Sequence, residues 1–226
     1  MKGVAAVVVG YNPDIQVLDS LLASLVDQVD LLVLVDNGGA SLFLESSPTI
    51  RDRIRYIPLG ENKGLGFALN IGFSCAIDEG NDYVVTFDQD SHAQSDLIST
   101  LHQAMCKAKL MDGNAIAVSP TFFDRRDGKQ IKFPFYSSSS GAIRAIFQSD
   151  DEHGLVKADA LITSGMLVDT RAWKKGIKYD DGMFVDFTDT EWCFRVRDRG
   201  FSLYGCLKVE MEIGRASCRE RVYGEC

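Results

Sequence analysis

Strand-like and helix-like segments alternate through the first half of this chain of 226 residues. Short apolar runs rich in β-branched residues are typical of strands buried on both faces. Strands are predicted at residues 4–9, 31–35, 55–59 and 83–87. Helices are predicted between and after them, at residues 18–29, 65–77 and 97–105. This alternation predicts an α/β fold with a Rossmann-like, mostly parallel central sheet and helices on both faces.

Polar side chains follow three of these predicted strands. They are Tyr11 and Asn12 after the first strand, Asp36 and Asn37 after the second, and Asp88, Gln89 and Asp90 after the fourth. In open α/β sheets, ligands bind beyond the carboxyl ends of the strands. The sequence therefore predicts a binding site at this edge of the sheet.

Asp88 and Asp90 form the strongest local motif. Two carboxylates separated by one residue in an extended chain point to the same side. Their oxygens suit a hard cation such as Mg²⁺ or Mn²⁺, which could also bridge a diphosphate. The alternative is an acidic turn after a strand, but the position at a strand end favours the metal site.

Asp36 and the glycine-rich segment at residues 62–72 are candidates for binding a nucleotide. The Asp36 carboxylate could accept a hydrogen bond from a base or a ribose hydroxyl, although a turn residue would look the same. Lys63 and Gly64 introduce a predicted helix, where glycine lets the backbone approach a ligand and a helix N-terminus favours phosphate. A purely structural turn is an equally good interpretation of that segment.

Three acids occur within six residues at the start of a second-half helix, predicted at residues 188–199. Asp189 or Glu191 could serve as a general base directed into the cleft. The structural alternative is that acids favour helix N-termini and that Glu191 pairs with Arg195 four residues later. Trp192 and Phe194 are interpreted as packing residues.

The second half of the chain is less regular. Strands are predicted at residues 115–119, 130–135 and 161–168, and loops at residues 137–141 and 150–154. Residues 214–226 abruptly become rich in Arg and Cys without an apolar period, which indicates a non-native or vector-derived tail. We therefore predict one catalytic domain at residues 1–213, with halves at about 1–111 and 112–213.

Composition excludes several classes of protein. The formal net charge of −8 argues against a nucleic-acid partner, which attracts basic surfaces. The six cysteines form no CxxC pair, so a reducing compartment is favoured over a disulfide framework. The apolar run at residues 3–9 is too short to span a bilayer. We therefore expect a cytoplasmic protein.

Several short motifs occur in a characteristic order along the chain. They are residues 8–12 (VVGYN), 34–37 (LVDN), 62–64 (NKG), 68–72 (ALNIG), 86–91 (TFDQDS), 164–165 (SG) and 184–195 (FVDFTDTEWCFR). Together they resemble family 2 of the inverting glycosyltransferases, and most closely its bacterial rhamnosyltransferases. The resemblance extends from residue 4 to about residue 209.

This resemblance implies a single-domain glycosyltransferase A-type fold whose first half binds a nucleotide-diphosphate sugar. It implies that Asp36 reads the base, that Asp88 and Asp90 hold Mg²⁺ or Mn²⁺, and that Asp189 is the general base with Glu191 nearby. The other donor-binding positions implied by the motifs are Tyr11, Asn12, Asn37, Lys63, Gly64, Asn70 and Gln89. The implied donor is dTDP-L-rhamnose. The implied acceptor is a saccharide of a surface polysaccharide such as O-antigen, or a lipid-linked saccharide, which is compatible with peripheral contact at the inner face of the plasma membrane.

Two alternatives to an active glycosyltransferase follow from the residues. The family usually carries a histidine near the end of this region, and residues 209–213 (VEMEI) contain none. This absence is consistent with a truncated or inactive relative that binds a nucleotide-sugar without turnover. A nucleotidyltransferase is the other alternative, but the turn at residues 10–13 lacks the basic, glycine-rich loop expected of that class.

Overall fold

The computed structural model describes residues 3–41, 48–126, 129–138 and 141–212. The predicted tail at residues 214–226, and Ser139 and Ser140 of a predicted loop, lie outside this part of the chain. The strands are β1 (Val4–Gly10), β2 (Leu31–Asp36), β3 (Arg55–Pro58), β4 (Tyr83–Asp88), β5 (Ala115–Arg126), β6 (Lys129–Lys132), β7 (Phe135–Ser137), β8 (Arg144–Ile146), β9 (Leu155–Ala158), β10 (Leu167–Asp169) and β11 (Ser202–Glu212). The helices are α1 (Ile15–Leu25), α2 (Pro48–Arg51), α3 (Leu65–Asp78), α4 (Leu97–Met111), α5 (Arg171–Lys174) and α6 (Thr188–Asp198).

The first four strands form a parallel sheet in the order β3-β2-β1-β4. Gly10 lies opposite Asp36, and Val9 lies opposite Asp88. The carboxyl ends of β1, β2 and β4 therefore meet at one edge. The predicted parallel sheet is confirmed, and its register places the polar strand ends side by side.

The second half of the chain extends the same sheet. Strand β10 is antiparallel to both β4 and β5, whereas β11 is parallel to β5 and antiparallel to β9. Strand β6 pairs with β5, which completes a sheet of nine strands, and β7 and β8 form a separate hairpin. Strand β10 precedes α6 in the chain and pairs with β4, the strand that ends at Asp88.

Two hydrophobic cores cover the two faces of the sheet. Val4, Ala6 and Val8 face the core built with α1 and α4, and Ala5 and Val7 face the core built with α3, α5 and α6. Every residue of β1 is consequently buried. This explains why β1 is a continuous apolar run rather than an alternating one.

Two predicted strands of the second half are corrected. The strand predicted at 130–135 is split into β6 and β7, because Pro134 has no N–H to donate to a ladder. The strand predicted at 161–168 is limited to β10. Before β10, the Leu161 N–H donates to Cys193 Sγ in α6 at 3.3 Å instead of to a strand. The Gly165 N–H donates to the Thr86 carbonyl of β4 at 2.6 Å.

A close contact between α3 and the sheet gives a stability prediction. A Cβ added at Gly72 would lie 2.3 Å from Val7 Cγ1 and 3.3 Å from Val35 Cγ2. We expect Gly72→Ala to lower the free energy of unfolding by about 1–3 kcal/mol through overpacking, despite the better helix propensity of alanine. Urea denaturation measures the change. Gly113→Ala, which meets nothing within 4 Å, is the control, and equal stabilities of the two variants would contradict the predicted packing.

Candidate active site

Gln89 ties the end of β1 to the end of β4. Its Oε1 accepts a hydrogen bond from the Tyr11 N–H at 2.6 Å, and its Nε2 donates to the Tyr11 carbonyl at 3.0 Å. The neighbouring Asn12 has a positive φ of 43° and donates its N–H to the Gly38 carbonyl at 2.7 Å. Gln89 therefore orders backbone at the strand edge, while the Tyr11 ring remains 48% exposed.

The Asp36 carboxylate is buried and fixed by its own loop. Its Oδ1 accepts hydrogen bonds from the Gly38 and Ala40 N–H groups at 2.8 and 3.0 Å, and its Oδ2 accepts one from the Tyr56 hydroxyl. Burial, together with this bond, raises the pKa of Tyr56. Tyr56 is a site residue that sequence reasoning missed, because nothing along the chain links it to Asp36, 20 residues away.

Asn37 holds the glycine-rich segment against β2. Its Oδ1 accepts from the Lys63 N–H at 2.8 Å, and its Nδ2 donates to Asn62 Oδ1 at 2.9 Å. Asn62 Oδ1 also accepts from the Gly64 N–H at 3.0 Å. The Lys63 ammonium pairs with Glu61. Asn37, Lys63 and Gly64 are thus brought to the predicted edge.

Gly64 also explains why this segment requires glycine. Its φ is +88°, and an added Cβ would lie 3.0 Å from the Phe184 carbonyl oxygen. The next residue, Leu65, donates its N–H to that same oxygen at 2.6 Å. The glycine-rich segment therefore packs directly against the segment that leads into α6.

Asn70 joins α3 to the segment before α6. Its Nδ2 donates to the Tyr179 carbonyl at 2.9 Å and to Asp181 Oδ1 at 2.7 Å, while its Oδ1 accepts from the Tyr179 N–H at 3.0 Å. The Asn70 side-chain amide thus holds the backbone of Tyr179 and the side chain of Asp181 in place. A direct donor contact by Asn70, as the motif implied, gains no support from this geometry.

Asp88 is anchored through its backbone to the turn before β10. Its N–H donates to Ser164 Oγ at 3.2 Å, and Ser164 Oγ lies 2.6 Å from Ser91 Oγ. Gly165 at the end of that turn has a φ of +72°. Because the anchor uses the backbone of Asp88, it fixes the strand end without engaging the Asp88 carboxylate.

A cavity of about 440 Å³ brings Asp88 and Asp189 together. We call it the front cavity, and its lining residues are Leu65, Asp88, Thr163, Val185, Asp186, Phe187, Thr188, Asp189 and Thr190. Asp189 lies in the first turn of α6. The helix begins directly after Phe187, which has a positive φ of 62°. Asp189 Oδ1 accepts from the Thr190 N–H at 2.7 Å. One acidic residue from the first half of the chain and one from the second thus border the same space.

Glu191 is directed elsewhere. Its two carboxylate oxygens accept from Arg195 Nε and Nη2 at 2.5 and 2.6 Å, and it is not among the residues that line the front cavity. Trp192 is fully buried, as predicted, but Phe194 is 49% exposed. The interpretation of Phe194 as a packing residue is therefore wrong, because it lies on the solvent side of α6.

Asp88 and Asp90 are the predicted metal ligands. Among the described residues, no group of three or more His, Cys, Asp or Glu side chains is placed to hold a metal ion. Mg²⁺ in phosphate-handling sites commonly uses one or two carboxylates and takes its other ligands from substrate phosphates and water. Asp88 ends β4, but Asp90 lies in the turn that follows, where the Ser91 N–H donates to the Asp88 carbonyl at 3.1 Å, so the extended chain assumed for this pair is wrong. The two residues still supply the one or two carboxylates that such a site needs.

Within the described ranges, no helix is both long enough and apolar enough to cross a bilayer.

Comparison with known proteins agrees with this architecture. The model of the glycosyl transferase family 2 matches residues 6–165. The dTDP-rhamnosyl transferase RfbF of Shigella flexneri is 28% identical over 210 residues, which cover 93% of this chain and 68% of that protein.

Solved structures of S. aureus TarS share the fold. One superposes with a TM-score of 0.64 at 15% identity, covering 95% of this chain and 37% of TarS. The complex of TarS residues 1–349 with UDP superposes with a TM-score of 0.62 at 14% identity, covering 94% of this chain and 60% of the TarS chain. The complex with UDP-GlcNAc superposes with a TM-score of 0.61 at 14% identity, covering 94% of this chain and 58% of the TarS chain. The chain thus spans 37% to 60% of the length of these TarS chains.

At such low sequence identity, the similarity to TarS is evidence for the fold alone. It confirms the predicted A-type glycosyltransferase fold. The family model covers well over half of the chain and includes the ends of β1, β2 and β4. On these grounds the chain belongs to glycosyl transferase family 2.

Proposed function

We propose that this protein transfers L-rhamnose from dTDP-L-rhamnose to a saccharide of a surface polysaccharide, or to a lipid-linked saccharide, with inversion at the anomeric carbon. The observation that carries the proposal is the front cavity, in which Asp88 from β4 and Asp189 from α6 border one space. An inverting transfer needs a metal ligand near the donor diphosphate and a base that activates the acceptor, and we assign Asp88 to the first role and Asp189 to the second.

The donor occupies the edge formed by the ends of β1, β2 and β4. Asp36, held by its loop and Tyr56, presents a fixed acceptor to the base or ribose. Tyr11 flanks the nucleoside with an exposed ring. The TarS complexes with UDP and UDP-GlcNAc support a nucleotide-sugar site in this fold, and the similarity to RfbF supports dTDP-rhamnose as the donor.

Asp88 and Asp90 would hold Mg²⁺ or Mn²⁺ at the diphosphate. A bound metal supplies Lewis-acid stabilisation of the charge that develops on the departing diphosphate. The Ser164 bond to the Asp88 N–H keeps this strand end in place. Gln89, between the two carboxylates, holds the β1 loop that covers the same edge.

Asp189 accepts the proton of the attacking acceptor hydroxyl. The oxygen then attacks the anomeric carbon from the face opposite the diphosphate, so the new glycosidic bond forms as the bond to diphosphate breaks. Asp189 is preferred to Glu191 because it lines the front cavity, whereas Glu191 is paired with Arg195. Holding the two substrates in line supplies an orientational gain. A lipid-linked acceptor would place the reaction in the cytoplasm, at the inner face of the plasma membrane.

Release of dTDP from dTDP-L-rhamnose in the presence of a saccharide acceptor tests the proposal. We expect release that depends on Mn²⁺ and is abolished by EDTA, and slower release from UDP-GlcNAc. Tight binding of dTDP without any release would instead support the alternative of a nucleotide-sugar-binding relative. Pyrophosphate release from dTTP and a sugar 1-phosphate would identify a nucleotidyltransferase and overturn the proposal.

A further inference from the structure

A second cavity of about 460 Å³ adjoins the front cavity along α6. We call it the side cavity, and its lining residues are Phe187, Thr190, Glu191, Phe194, Arg195 and Asp198. Phe187 and Thr190 line both cavities, so the two spaces meet at the first turn of α6. A molecule longer than one ring could therefore reach from Asp189 into the side cavity.

Two exposed aromatic rings border the side cavity. Phe187 is 73% and Phe194 49% exposed, although side chains of this kind are normally withdrawn from water. The Arg197 guanidinium lies 5.9 Å from the centre of the Phe194 ring and forms an ion pair with Asp159 at 2.8 Å. Phe194 is thus a positioned ring, and exposed apolar groups at a cavity mark binding surfaces.

Polar groups line the same space. Glu191, Phe194, Arg195 and Asp198 recur at helical spacing and so share one face of α6. The two bonds between Arg195 and Glu191 use two of the five guanidinium N–H donors. Aromatic rings beside planar charged groups match the chemistry of a sugar, which presents an apolar C–H face and a rim of hydroxyls.

We propose that the side cavity binds the sugar unit next to the one that reacts in the acceptor, with Phe194 stacked on its apolar face. This assignment rests on the proposed function, since it needs an acceptor hydroxyl at Asp189. The acceptor chain passes the shared residues Phe187 and Thr190, and its next unit meets Phe194 and the Glu191–Arg195 pair. Acceptors of two or more sugar units are then preferred to single sugars.

A saccharide fits these residues better than a membrane surface does. Two of the three charged residues that line the side cavity are acidic, Glu191 and Asp198, and the whole chain carries a formal charge of −8. Bacterial and other anionic bilayers attract basic clusters rather than acidic ones. The exposed rings therefore lie in surroundings that disfavour an anionic lipid surface.

A glycan array of mono-, di- and trisaccharides of bacterial surface sugars, read with dTDP and Mn²⁺ present, tests the side cavity. We expect wild-type protein to bind di- or trisaccharides, Phe194→Leu to weaken that binding about tenfold, equivalent to about 1.4 kcal/mol, and Phe194→Tyr to retain it. Leucine keeps the apolar character but removes the flat ring. Phe147→Leu, which alters a ring that is 59% exposed elsewhere, is the matched control.

Calorimetry of dTDP on the same variants separates this proposal from the proposed function. Unchanged dTDP binding with selective loss of longer glycans in Phe194→Leu supports the side cavity. The assignment is overturned by an array with no saccharide bound, or by equal glycan binding to the wild type and Phe194→Leu. It is also overturned if, in a parallel assay with anionic lipid vesicles, Phe194→Leu loses vesicle binding while its glycan binding is unchanged. Failure of wild-type protein to bind dTDP would contradict the proposed donor. The side cavity would then still be tested by the difference in glycan binding between the wild type and Phe194→Leu.

Discussion

Asp189→Asn is expected to lower the rate of rhamnosyl transfer by about 10²–10⁴-fold, the usual contribution of a positioned general base. The amide keeps the size of the side chain and can still accept from the Thr190 N–H, so the first turn of α6 should stay intact. Because the role proposed for this side chain is toward the acceptor rather than the nucleotide, the affinity for dTDP should be largely unchanged. Initial rates and dTDP calorimetry on the same preparation measure both effects.

Two further variants sharpen this test. Glu191→Gln should disturb the ion pair with Arg195 and lower stability, with a smaller effect on the rate than Asp189→Asn. Asp78→Asn changes an exposed acid at the far end of α3 and should leave the rate unchanged. Near-normal turnover of Asp189→Asn, or a greater loss in Glu191→Gln, would show that the base is assigned to the wrong residue.

Asp88→Asn is expected to produce the second large loss, of about 10²–10³-fold in turnover. A metal ion acting as a Lewis acid contributes several kcal/mol to the transition state, and each 1.36 kcal/mol is about tenfold in rate. The variant should also require more Mn²⁺ for half-maximal activity, because the substituted side chain is a weaker ligand. Titrating Mn²⁺ into the rate assay measures both quantities.

The backbone anchor of Asp88 makes this variant interpretable. The Asp88 N–H bond to Ser164 does not use the side chain, so the strand end should keep its position in Asp88→Asn. Asp52→Asn, an exposed acid between α2 and β3, is the matched control. A rate and Mn²⁺ requirement equal to those of the control would exclude Asp88 as a metal ligand.

The strand edge could be predicted from the sequence because its determinants are local. The unbroken apolar run of β1 reflects burial by cores on both faces, and polar residues follow where that burial ends. Parallel pairing brings these ends to one edge, and the structure adds the register that sets Gly10 beside Asp36 and Val9 beside Asp88. The A-type fold and the family came instead from the order of the short motifs, which resembles family 2.

The remaining contacts depend on residues far apart in the chain. Asn70 belongs to a helix motif, yet its amide bonds to Tyr179, 109 residues later, and this partner cannot be seen in the sequence. Phe194 follows buried Trp192 and Cys193 on α6, and only the packed fold shows that it faces water. The strand predicted at 161–168 is confirmed only at its end, within β10, because the Leu161 N–H bonds to Cys193 Sγ instead of to a neighbouring strand.

Isothermal titration of dTDP, with UDP and GDP as comparisons and with or without Mn²⁺, tests the central claim most directly. The proposed donor site predicts Mn²⁺-dependent binding that is tightest for dTDP and is lost in Asp90→Ala. Tighter binding of UDP or GDP would contradict dTDP-rhamnose as the donor. An affinity for dTDP that is unchanged by Mn²⁺ and by Asp90→Ala would contradict a metal-held diphosphate at the end of β4.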